Sequence, residues 1–176
     1  MRPYMILIAT VVFVTTLGTA QAQSYGLGTI PTETELSALD TLVDNQGKLL
    51  PNGQGTAVEG APMFAQRCAM CHGANGEGTQ TPAGSGPQLI ASSPDTSEAI
   101  RSGKYYFATT LWSFIYRAMP LHQERTLTVD QAYALTAYLL YRNNIIDENE
   151  VMNQRTLPEV TMPGHEKWKL PSGDSS

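Results

Sequence analysis

Apolar residues recur with helical spacing in three stretches between residues 58 and 142, and these stretches predict the fold. In the first, residues 58–69, Met63, Phe64 and Arg67 fall at i, i+1 and i+4. Pro62 is placed in the first turn, where a missing N–H is tolerated. His72-Gly73 ends this helix. The second, residues 109–118, carries Leu111, Trp112, Ile115 and Tyr116 on one side, and Pro120 forbids its continuation. The third, residues 129–142, opens on Thr128-Val-Asp-Gln131, a capping box, and presents Tyr133, Leu135, Ala137, Leu139 and Leu140. Shorter helical pieces are expected at 36–43 and 94–101. Residues 76–103 show no strand alternation, so the fold class is all-α with long loops.

Punctuation divides the rest. Arg2, the apolar run Met5 to Leu17 and the small-x-small site Ala20-Gln21-Ala22 read as a secretory signal peptide over residues 1–22, cleaved after Ala22. An uncleaved anchor is the competing reading, but the run is short for a membrane span. Residues 23–57 form an extended leader with turn signals, ending in Pro51-Asn52-Gly53-Gln54-Gly55. Residues 58–143 make the domain. Residues 144–176, with Pro158, Pro163 and Pro171, form an irregular extension lying over the body. The net charge of −5 excludes a basic face for nucleic acid or anionic lipid.

Chemistry concentrates in Cys68-Ala69-Met70-Cys71-His72, which holds both cysteines of the chain. A disulfide across two residues would staple almost nothing. Zinc wants about four Cys or His ligands, and only His122 and His165 are added elsewhere. A thioredoxin-like pair needs a βαβ setting. Cys-x-x-Cys-His is the attachment motif for haem c. The two thiols add across the two vinyl groups, and the next residue, His72, lies under the iron as a ligand.

Iron then takes methionine, histidine or nothing on its other face. Met119, in Arg117-Ala-Met-Pro-Leu121, leaves a helix at a proline and is the candidate axial ligand. Met63 and Met70 lie too near the anchor, Met152 and Met162 lie in the tail, and His122 is the minor alternative. A ligating histidine donates its other ring N–H to a carbonyl, for which Pro87 in Gly86-Pro-Gln-Leu89 is the candidate. Propionate donors are sought among Arg101, Lys104, Tyr105, Tyr106 and Trp112; Arg101, Tyr105 and Trp112 are taken as the haem-binding set.

With Cys-Ala-Met-Cys-His, Gly-Pro-Gln-Leu and Arg-Ala-Met-Pro in this order, the chain resembles a class I cytochrome c. That resemblance implies a terminal helix crossing, with Gly60 and Phe64 against Tyr138, and His72/Met119 ligation. The segments around Ala108-Thr-Thr-Leu-Trp112, Ala137-Tyr-Leu-Leu-Tyr141, Ile145-Ile-Asp-Glu148 and Leu157 to Pro163, with the leader Leu50 to Gly60, are similar to the cytochromes of bacterial sulfite and sulfane dehydrogenases. The larger sulfur-oxidation subunit carries a second haem domain, whereas this chain has one attachment motif. The implied role is a periplasmic, monohaem electron carrier, not an enzyme on its own. It would accept single electrons from the molybdenum subunit of a sulfite dehydrogenase and pass them to a downstream cytochrome or oxidase, with no membrane span after cleavage. Two alternatives stay open: a cytochrome subunit of an alcohol or amine dehydrogenase, and an open-site haem enzyme acting on peroxide or a small gas.

Overall fold

The computed structural model describes residues 29–35, 43–82, 84–91 and 105–165. Residues 29–35 belong to an N-terminal unit that ends at Leu36, and every other described residue belongs to a second unit, Ser37–Ser176. In the first unit a helix begins at residue 33, and the Thr32 backbone N–H and hydroxyl both donate to Glu35 Oε2. The signal peptide expected at 1–22, most of the short helix expected at 36–43 and the whole of the one expected at 94–101 lie outside the described residues.

The second unit is built around two helices, α1 (Ala57–Arg67) and α4 (Val129–Arg142). The Thr128–Gln131 capping box closes the start of α4 in both directions, and its bounds are those the apolar spacing predicted. Every residue from Ala132 to Leu140 is buried. The start of α1 has a second capping box, between Thr56 and Glu59, absent from the sequence expectation. The helix therefore begins at Ala57, and Pro62 is its sixth residue rather than a first-turn residue. The backbone hydrogen bond that Pro62 cannot make falls on the solvent side, where Val58 and Pro62 are both exposed. Cys68 breaks the predicted continuation to Ala69 and separates α1 from α2 (Ala69–His72), which Gly73 ends at φ 84°.

The helices α1 and α4 cross at Gly60. A β-carbon there would collide with the Ala134 carbonyl oxygen and lie 2.7 Å from Tyr138 Cβ. One turn further, the rings of Phe64 and Tyr138 meet at 5.1 Å. Helix α3 (Ala108–Ala118) packs on α4 through Trp112, whose ring sits between Tyr116 at 4.9 Å and Tyr133 at 5.2 Å.

Short strands add what helical spacing did not predict. The last leader residues, β1 (Gln54–Gly55), pair antiparallel with β4 (Met152–Asn153) in the extension. A 3₁₀ turn, Leu157–Glu159, follows. The extension thus fills the core with Met152, Leu157 and Met162, each at most 1% exposed, rather than draping over it. The glycine-rich loop after the anchor holds a hairpin of β2 (Thr79–Thr81) and β3 (Gly84–Gly86). Three residues per strand are too few for alternation to show, and the Thr81 hydroxyl carries part of the hairpin's bonding: it donates to the Gly84 carbonyl and accepts from the Gly84 N–H. Among the described residues no helix is long and apolar enough to cross a membrane.

Candidate functional site

One tight turn gathers the cysteines and the histidine. The backbone N–H groups of Cys71 and His72 both donate to the Cys68 carbonyl, at 3.1 and 2.9 Å. Both cysteines are free thiols, half-buried. Burial pushes the Cys68 thiol up to about 11, against a smaller opposing pull from Arg67. At neutral pH this sulfur stays protonated, unlike the low-pKa thiolate of a redox or catalytic cysteine.

His72 Nδ1 lies 2.8 Å from the Pro87 carbonyl oxygen. A carbonyl only accepts, so Nδ1 carries the proton, and in the neutral ring the lone pair resides on Nε2. That nitrogen makes no hydrogen bond among the described residues.

The β2–β3 hairpin packs closely against this turn. Thr79 Oγ1 donates to the Cys71 carbonyl at 2.6 Å, and the Gly78 N–H to the His72 carbonyl at 2.7 Å. β-Carbons at Gly84 and Gly86 would lie 2.9 Å from Cys71 Sγ and from His72 Nδ1, so only glycine lets the strand approach so closely. Further along, Asn143, the fully buried C-cap of α4, donates to the Leu89 carbonyl at 2.9 Å and accepts from the Ala91 N–H at 3.1 Å. The segment that carries Pro87 is thereby tied to α4. Thr79, Gly84 and Asn143 were not singled out from sequence, and Gly86 entered only as the first residue of Gly86-Pro-Gln-Leu89; Gly84-Ser85-Gly86 was the local signal that could have pointed to a close backbone approach.

Met119 lies on a separate element. Helix α3 ends at Ala118, and Met119 is extended (φ −120°, ψ 150°), as a residue before proline must be. It is partly buried. Trp112 is wholly buried, and its Nε1 has no hydrogen-bond partner among the described residues. Tyr105 is half-buried beside Phe114, and burial raises its phenol. Arg101 and Lys104 lie outside the described residues. The other candidates sort by exposure: Met70 and His122 are exposed, whereas Met152 and Met162 are locked in the core.

The cytochrome c family model matches residues 57–143, from the first residue of α1 to the C-cap of α4. A chain in the crystal structure of the sulfane dehydrogenase SoxCD from Paracoccus pantotrophus is similar over 86% of this chain and 75% of its own, at 31% identity and a TM-score of 0.68. The chain belongs to the cytochrome c family. It is a class I cytochrome c related to the sulfur-oxidation enzymes. Among curated proteins none matches it.

Membership implies covalently bound haem c, and the residues of this cytochrome fit that group. Two free thiols and a histidine with an open Nε2 occupy one turn. The donor set is thioether-forming sulfur plus imidazole, which suits haem iron. Trp112 supplies a buried N–H that finds no acceptor among the described residues, the kind of group a propionate would satisfy.

Proposed function

We propose that this cytochrome is a periplasmic single-electron carrier holding one haem c on Cys68 and Cys71, with His72 and Met119 as axial ligands. When bound, the haem supplies reversible one-electron exchange at its iron. The protein's own residues do the rest. Pro87 accepts from Nδ1–H of His72 and so orients the ring and fixes its tautomer. The extended backbone before Pro120 holds Met119 at the end of α3, and a thioether ligand raises the reduction potential. Trp112, Tyr105 and Arg101 are the proposed donors around the macrocycle. The observation that carries this reading is the His72 Nδ1···Pro87 contact, at 2.8 Å, within the same turn as both thiols.

The electron donor we propose is the molybdenum subunit of a sulfite dehydrogenase, and the acceptor a downstream cytochrome or oxidase. The similarity to a chain of SoxCD supports a sulfur-oxidising partner. Stopped-flow mixing of the oxidised, haem-loaded cytochrome with a sulfite-reduced molybdenum dehydrogenase tests the assignment. Haem reduction within the dehydrogenase's turnover time is expected. Reduction that is absent, or no faster than with sulfite alone, would overturn the assignment.

A further inference from the structure

The outer face of α3 carries a hollow separate from the residues assigned to the haem. Thr110, Ser113, Phe114 and Arg117 recur at i, i+3, i+4 and i+7, on the face opposite the buried Leu111, Trp112 and Ile115. With Val43, Ala118 and Arg125 they line a concavity of about 510 Å³. The whole chain is acidic, at −5, yet two arginines line this hollow. Neither has an ion-pair or hydrogen-bond partner among the described residues. For Arg117 the Nε atom is buried and unsatisfied.

A buried guanidinium N–H without an acceptor carries an uncompensated desolvation cost, and such groups in native proteins call for a partner. The planar fork of arginine matches the paired oxygens of an oxyanion, which accepts two parallel N–H bonds. Thr110 and Ser113 bring two hydroxyl donors to the same wall.

We propose that this hollow is an oxyanion-binding site, in which Arg117 and Arg125 hold a small sulfate-, sulfite- or phosphate-class ion against the Thr110 and Ser113 hydroxyls. Arg117 precedes Met119 by two residues and Arg125 follows it in the next loop. A bound ion therefore clamps the two sides of the Met119 turn together. Sulfate is the product of the reaction proposed above for the partner. That biological link rests on the proposed function, whereas binding itself does not, so calorimetry and haem-reduction kinetics fail separately.

Isothermal titration calorimetry of the haem-loaded protein with sulfate, at ionic strength held constant with sodium chloride, tests the site. One saturable event is expected, with phosphate competing. Arg117→Gln and Arg125→Gln should each weaken binding about tenfold or more, the factor for one charge-assisted hydrogen bond. Arg117→Lys, which keeps the charge and the apolar stem, should recover part of that loss. If Arg117→Gln does not fold by circular dichroism, Arg125→Gln, on an exposed loop, decides alone. Heats that do not saturate, or an affinity unchanged in the variants, would overturn the proposal.

Discussion

The helix crossing and the turn that carries the cysteines are held together by different means. At the crossing, α1 and α4 meet through Gly60, Ala134, Phe64 and Tyr138, and the adhesive is apolar contact at close range. Around Cys68, Cys71 and His72 little is fully buried and apolar. Thr79, the glycines of β3 and the Pro87 carbonyl hold that turn by hydrogen bonds and close backbone approach. The crossing sets global stability, and the polar turn sets the geometry of three side chains. Asn143 joins the two, since it caps α4 and binds the segment after Pro87.

Breaking the crossing should have the largest effect. Gly60→Val drives a branched side chain into the Ala134 carbonyl and Tyr138, and no rotamer relieves a clash at Cβ. A loss of about 3 kcal/mol or more is expected, read as a fall in denaturant midpoint. A midpoint within error of wild type would show that the helices can separate freely. Next comes Asn143→Ala, which leaves the Leu89 carbonyl and the Ala91 N–H without their side-chain partner in a partly buried place. It should lose about 2–3 kcal/mol. Hydrogen exchange should also rise at Leu89 to Ala91, where Gly60→Val at matched stability leaves it unchanged.

A pH experiment sharpens the same contrast. Burial pushes the Tyr133 phenol from 10.0 to about 12. The fold favours the neutral phenol, so the stability Tyr133 contributes is intact below about pH 10. It drains away as pH rises towards 12. The loss across that window should be on the order of 2 kcal/mol, and Tyr133→Phe should flatten it, although it also removes the hydrogen bond to the Pro51 carbonyl. A slope unchanged in the variant would assign the alkaline loss to another group. The smallest effect on stability belongs to the polar turn. Thr79→Val keeps the shape and deletes the bond to Cys71, at about 1 kcal/mol. Its signature is a shift in the haem's reduction potential out of proportion to that loss. A potential identical to wild type would show that the hairpin does not orient the anchor.

How much of this could be read from the sequence depended on how local the cause was. Helix α4 was legible at both ends, because a capping box and a clean apolar period are written in consecutive residues. Helix α3 was legible at its C-terminus, because Pro120 dictates the backbone before it. The start of α1 was misplaced by one residue, and Pro62 falls in the second turn instead of the first, although Thr56-Ala-Val-Glu59 carries the same capping signal as Thr128 to Gln131. Strand β1 could not be read at all: two residues pairing with two others nearly the whole domain away leave no local mark. The burial of Met152, Leu157 and Met162 follows from that pairing and was hidden with it. In the candidate site, the contact between His72 and the Pro87 carbonyl was legible from a short spacing. The supports around it, Thr79, Gly84, Gly86 and Asn143, depend on which segments approach in space, which spacing does not encode.

The central proposal is that His72 and Met119 share one iron, and the ferric absorption spectrum of the haem-loaded protein addresses this directly. The wild type should be low-spin and show the weak near-infrared band of a methionine–iron bond. Met119→Ala should lose that band while keeping the covalently attached haem. A high-spin, five-coordinate wild type, or a band that survives in Met119→Ala, would contradict the account.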